Sequence, residues 1–303
     1  MASSRDSMTG TSRLMPADAA PAPGGQNDPD AAIGAAVARS GTSFYWAMRL
    51  LPPPRRAAMF AIYAFCRAVD DVVDEPGTAA AKAAGLAEWR LEVDRIFAGR
   101  ATTDIGRALT LAVGRYGMAR DDFLAVIDGM AMDMGEPLRR PTLAELELYC
   151  DRVAVAVGRL SVCAFGTPPA QGRRLAHALG RAFQLTNILR DLVEDAGLGR
   201  LYLPDEWLSE AGIAAADPAV VLRHPALGVV CGRLAERARA YFAEAGQAMA
   251  ECPRASVRPA RVMSEVYRRV LDRLVARGWS ELDRPVAFSK PAKLLIALRY
   301  GLI

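Results

Sequence analysis

From about residue 32 onward, apolar residues recur every three or four positions, in stretches broken only by proline and glycine. No stretch alternates apolar and polar residues with a period of two, so the chain buries helix faces and not a sheet. Ser43 can cap a short helix to Leu50, stopped by Pro52-Pro53-Pro54. A longer helix is expected from Arg55 to about Asp74, ended by Glu75-Pro76-Gly77. Further helices are expected over 79–98, 103–117 and 120–134. Thr142-Leu143-Ala144-Glu145 has the form of a capping box opening a helix to Phe165. Pro168-Pro169 introduces a long helix to Asp195, Gly197 to Pro204 reads as a loop, and helices near 217–223, 227–251, 256–278 and 289–299 complete the series. No repeat of about 20–50 residues is present. The expectation is all-α: a single helical domain over 32–303. Residues 1–31 are rich in Ala, Pro, Gly, Ser and Asp, lack an apolar block, and read as a disordered tail and not a signal peptide.

Charge and cysteine usage narrow the function classes. The net charge of +4 is spread over arginines interspersed with acids, without the basic stripe of a nucleic-acid binder. It suits an anionic small substrate or a weak attraction to a lipid surface. Cys66, Cys150, Cys163, Cys231 and Cys252 are odd in number and form no CxxC pair, so they read as small buried apolar residues. Two histidines, His177 and His224, leave little for a histidine-ligated metal or a triad base. No run of about 18 apolar residues occurs, so no membrane span is expected and the cytoplasm is the expected compartment.

The chemistry concentrates in two stretches. In Tyr63-Ala64-Phe65-Cys66-Arg67-Ala68-Val69-Asp70-Asp71-Val72-Val73-Asp74, helical spacing puts Tyr63, Arg67, Asp70 and Asp74 within roughly 60° of one another. Carboxylates one turn apart repel, and a hard divalent ion bridging them to phosphate oxygens resolves the conflict. Alone, the stretch fits a solvated acidic helix end equally well. The second stretch, Gln184-Leu185-Thr186-Asn187-Ile188-Leu189-Arg190-Asp191-Leu192-Val193-Glu194-Asp195, repeats the aspartate pair, with Gln184, Asn187, Asp191 and Asp195 on one polar stripe of an apolar helix. Such a stripe needs partners or water. Two stripes about 120 residues apart can face each other across a cavity and clamp cations; the alternative is a buried hydrogen-bond network without ligand.

Written out, YAFCRAVDDVVD and QLTNILRDLVEDAGLGRLYLP resemble the squalene/phytoene synthase family of head-to-head prenyl transferases, and the likeness runs from Ser40 to Arg284. SFYWAMRLLPPPRR and YCDRVAVAVGRLSV resemble its bacterial hopanoid branch in particular. The resemblance implies that Asp70, Asp74, Asn187, Asp191 and Asp195 hold more than one Mg2+, with Asp71 and Glu194 pointing aside. It implies that Arg67, Arg190, Arg200 and Tyr202 hold diphosphate oxygens, and that Ser40, Ser43 and Phe44 belong to the substrate-binding start. Tyr63, Tyr149 and Gln184 would face the reacting carbons, while Tyr267 and Arg284 would approach the second diphosphate; Tyr267 fits ordinary helix packing as well.

The implied substrate is farnesyl diphosphate, two molecules of which condense to presqualene diphosphate with loss of one diphosphate and without NADPH. Sister activities of the family carry the reaction on to squalene with NADPH, or use a 20-carbon substrate to make phytoene. Lack of a C-terminal membrane anchor favours the bacterial half-reaction. The allylic cation needs a dry, apolar enclosure, and Tyr149, Val153, Ala156, Val157 and Leu160 stand at helical spacing suited to a prenyl channel or to plain core packing. A helical scaffold without catalysis would have no use for both aspartate pairs. Lys290 to Ile303 mixes basic and apolar residues, short enough to touch a bilayer surface or to cap the core.

Overall fold

The computed structural model describes residues 43–134, 138–284 and 286, without the side chains of residues 43, 44 and 46. Ser40, the Ser43 and Phe44 side chains, the tail over 1–31 and the segments at 289–299 and 290–303 lie outside the described residues. Among the described residues, helices account for nearly all regular structure, and the one other feature is an isolated bridge between Arg139 and Leu201.

Helix α1 (Ser43–Arg49) precedes α2 (Pro53–Asp74). Pro53 and Pro54 occupy the first turn of α2, where a missing N–H costs nothing. Ala58, Met59, Ala61, Ile62, Phe65, Val69 and Val73 form its buried face, and Glu75 turns extended ahead of Pro76. Next come α3 (Ala79–Phe97), α4 (Asp104–Tyr116) and α5 (Arg120–Met132). Gly117 ends α4 in the left-handed region at φ 64°, which any side chain would resist. The expected capping box opens α6 (Leu143–Cys150): the Glu145 N–H donates to Thr142 Oγ1 at 3.2 Å, and the Thr142 N–H donates to Glu145 Oε2 at 2.7 Å. A single π-helical turn (Asp151–Val155) joins α6 to α7 (Ala156–Phe165), an interruption the periodic reading of 142–165 did not anticipate. Then follow α8 (Pro169–Arg190), α9 (Leu192–Gly197), α10 (Asp205–Glu210), α11 (Pro218–Val221), α12 (Leu227–Ala250) and α13 (Arg254–Arg277).

One long helix from Pro168 to Asp195 was expected; the chain instead breaks at Asp191, at φ −101° and ψ 13°. The turn survives the break, because the Asp191 N–H reaches the Asn187 carbonyl at 2.8 Å and the Asp195 N–H reaches the Asp191 carbonyl at 2.8 Å. Asp191 and Asp195 therefore stay on one side.

Two large apolar cores and one small cluster at Ala47, Val262 and Met263 form among the described residues. One gathers α2, α3, α4, α5 and α7 around Phe65, Phe123 and Ile62. The other surrounds α8, which packs against α12, α13 and α6 through Leu175, Leu185, Leu234 and Phe242. The first aspartate pair rides on the former core and the second on the latter. All five cysteines are free thiols, buried or half-buried, as expected.

Candidate active site

Where the two cores meet, α2 brings Asp70, Val73 and Asp74 opposite Gln184, Asn187 and Ile188 of α8, with Asp191 and Asp195 just beyond. Met130, Asp133, Tyr149, Val153, Arg200 and Tyr202 complete the wall of a cavity of about 250 Å³. The lining holds five carboxylates and one guanidinium, Arg200, so its charge is strongly negative.

The acids show the strain of that crowding. Burial, then the neighbouring Asp74, pushes the Asp70 carboxyl up from its ordinary value. Burial, then Asp191, holds Asp195 up at about 7. Asp133 is raised by burial even though the Tyr202 hydroxyl donates to it at 2.7 Å and the Tyr149 hydroxyl at 3.0 Å. The two tyrosine rings stack with centroids 4.8 Å apart, and burial followed by the Asp133 charge raises both phenols, keeping them protonated.

Asn187 Oδ1 is buried with no hydrogen-bond partner. A buried carbonyl without a donor is costly, and beside carboxylates a cation is the partner it can accept. All-oxygen donors of this kind fit magnesium. Among the described residues, no group of three or more His, Cys, Asp or Glu side chains converges tightly enough to enclose one ion. The carboxylates instead stand around the cavity wall.

A second cavity of about 200 Å³ adjoins the first, and Val153, Gln184 and Asn187 belong to both walls. Its other walls are apolar, among them Met48, Met59, Val157, Phe165, Leu179, Phe183 and Met263. Of the residues proposed for a prenyl channel, Val153 and Val157 line it and Tyr149 stands in the acidic cavity, whereas Ala156 and Leu160 are ordinary core.

Gln184, Asn187, Asp191, Asp195, Asp70, Asp74, Tyr149, Arg200 and Tyr202 thus come together. Tyr267 lies on the apolar wall, its ring 4.3 Å from that of Phe183 and its hydroxyl bonded to Asn187 and Arg190, so packing and a polar role coincide. Arg190 forks onto Asp191 at 2.7 and 2.6 Å. Arg67 pairs with Asp70 at 3.0 Å and Asp71 at 2.8 Å outside the cavity wall, and Glu194 is exposed.

Besides Arg67, Tyr63 and Arg284 stand away from the cavities. Tyr63 packs on the first core; seven residues before Asp70, it lies about 10 Å away along the helix axis. Arg284 is solvent-exposed beyond the end of α13, with Glu281 at 4.0 Å. Asp133 was missed, standing among Met130, Met132 and Met134 without the i, i+4 aspartate pair that marks the other two stretches.

An all-α fold that opposes two aspartate pairs over an apolar pocket defines the class of enzymes that ionise prenyl diphosphates. The family model for squalene/phytoene synthase matches residues 37–292. The chain belongs to that family. It is 48% identical over 263 residues to a presqualene diphosphate synthase of Rhodopseudomonas palustris, covering 87% of this chain and 94% of that one. To a presqualene diphosphate synthase of Sinorhizobium fredii it is 47% identical over 263 residues, with the same shares of 87% and 94%. The crystal structure of a dehydrosqualene synthase in complex with ligand superposes with a TM-score of 0.77 at 25% identity, over 90% of this chain and 95% of that one.

Proposed function

We propose that the chain is a prenyl transferase that joins two farnesyl diphosphates head to head, forming the cyclopropane of presqualene diphosphate and releasing one diphosphate and a proton. The observation that carries this reading is the junction at Val153, Gln184 and Asn187, where an acidic cavity opens against an apolar one. A diphosphate with a prenyl tail is a molecule with those two halves.

Asp70, Asp74, Asn187, Asp191 and Asp195 would hold magnesium, which when bound neutralises diphosphate and makes it a good leaving group. Arg200, on the cavity wall, and Arg190 donate to diphosphate oxygens. The apolar walls keep water from the allylic cation left at the first substrate. The second substrate's double bond attacks that carbon, and loss of a proton closes the three-membered ring. Tyr149 donates its own proton to Asp133, so a proton taken up at its oxygen would be matched by transfer of the phenol proton to the Asp133 carboxylate. Tyr149 and the released diphosphate are the two acceptors for the ring-closing proton. No electrons are gained or lost, so NADPH has no part. Among the described residues no helix is long and apolar enough to cross a membrane; we place the enzyme in the cytoplasm, with Lys290–Ile303 as a point of peripheral lipid contact.

Incubation of the purified protein with farnesyl diphosphate and Mg2+, with and without NADPH, tests the reading. Presqualene diphosphate is expected in both. Squalene formed only with NADPH, or phytoene formed from geranylgeranyl diphosphate in preference, would assign a sister activity.

A further inference from the structure

The π turn at Asp151–Val155 is held from three sides. Arg181 of α8 forks onto Asp151 at 2.9 and 2.9 Å. A Cβ at Gly180 of α8 would lie 2.7 Å from the Val155 Cα. A Cβ at Gly129 of α5 would lie 2.8 Å from Val153 Cγ1 and 3.2 Å from the Arg152 carbonyl carbon. Two helices thus present a bare backbone where the turn bulges.

The turn's effect is one of register. Tyr149 lines the acidic cavity, Val153 both cavities, and Val157 and Ser161 the apolar one. In an uninterrupted α-helix, positions 149 and 157 would be about 80° apart around the axis. One extra residue in a wide turn removes about 100° of that rotation, leaving about 20°. A single straight stripe then runs from the phenol to the apolar pocket.

We propose that this π turn is the device that aligns the two cavities, and that Gly129, which lines neither of them, is a positioning residue for the prenyl chain because it leaves room for the turn. The inference rests on the reading that the apolar cavity takes a prenyl chain.

Binding separates the two halves of the ligand. Farnesyl thiodiphosphate, which does not ionise readily, and inorganic diphosphate are each titrated calorimetrically into the full chain with Mg2+. Gly129→Ala is expected to weaken the prenyl ligand by about tenfold or more, the effect of losing contact with two methylenes, while inorganic diphosphate binds within about twofold of wild type. Gly129→Ser is expected to act in the same direction and more strongly. Arg181→Lys, which loses the fork onto Asp151 and lines neither cavity, provides a milder variant should the glycine changes unfold the protein, and the same selective loss is expected. Equal weakening of both ligands, or no weakening of either, would overturn the proposal. A wild type that binds the thio analogue but forms no product from farnesyl diphosphate would overturn the proposed reaction and leave this inference standing.

Discussion

At the scale of single residues, the site is a set of carboxylates that the fold holds together against their charge. Asp70→Asn or Asp191→Asn should lower turnover by about 10²-fold or more, the loss typical of one charge-stabilising group. Each removes a repulsion together with an ion pair, to Arg67 or to Arg190, so the melting temperature without Mg2+ should change little, as differential scanning calorimetry would show. Asp195 makes a separate prediction. Its carboxyl is raised to about 7 and must be ionised to serve as a ligand. Taking up Mg2+ and diphosphate near pH 7 should therefore release protons, visible as a buffer-dependent binding enthalpy that fades by about pH 9. An enthalpy that ignores the buffer at both values would remove Asp195 from the ligand set. The spacing of Asp70 with Asp74 and of Asp191 with Asp195 was legible because one helical turn separates the members of each pair. Asp133 was not legible, since its partners Tyr149 and Tyr202 are 16 and 69 residues away.

At the scale of elements, what the site needs is supplied from outside it. Arg140 sits at φ 52°, and its side chain reaches Asp205 at 2.6 Å and the carbonyls of Ile213 and Ala215 at 2.8 and 2.7 Å. Its backbone N–H bonds Leu201 at 3.0 Å, between Arg200 and Tyr202. Arg140→Ala leaves those acceptors without a donor and should cost about 3 kcal/mol, while turnover should change little because the backbone bond from residue 140 to Leu201 is kept. Chemical denaturation and steady-state rates measure the two effects. At the corner between α3 and α4, Glu92 is 2% exposed. Burial alone would raise its carboxyl, but hydrogen bonds from Thr102 and Thr103 reverse this and hold it at about 2, against an ordinary 4.5. The group thus contributes stability above pH 4.5 that is lost as pH falls toward 2, on the order of 3 kcal/mol. Glu92→Gln should remove it at neutral pH and change little at about pH 2, as urea midpoints at both values would reveal. Helix starts and stops were readable from Pro, Gly and the Thr142 box because those act locally. The π turn was not, because the glycines that leave room for it, Gly129 and Gly180, lie on other helices, and the break at Asp191 keeps helical hydrogen bonds on both sides, so local sequence does not set it apart from an unbroken helix.

At the scale of the whole molecule, function follows from the seam. Each core is an ordinary apolar cluster, but the face between them carries acid on one side of Val153 and hydrocarbon on the other. The all-α class and the opposition of two stripes could be read from periodicity. Tyr63 and Arg284 could not be placed that way, since motif position does not say which way a side chain faces across the seam. With Asp70, Asp133 and Asp195 all raised, the native state keeps protons that the unfolded chain would lose, so these groups make the ion-free protein less stable as pH rises from about 4 through 7. Cations held there would relieve that penalty. The measurement that bears most directly on this account is the release of inorganic diphosphate from farnesyl diphosphate, followed in Mg2+, after chelation with EDTA, and after Mg2+ is restored. The account predicts release with Mg2+, none above background in EDTA, and recovery on restoring the ion; an unchanged rate in EDTA would contradict it.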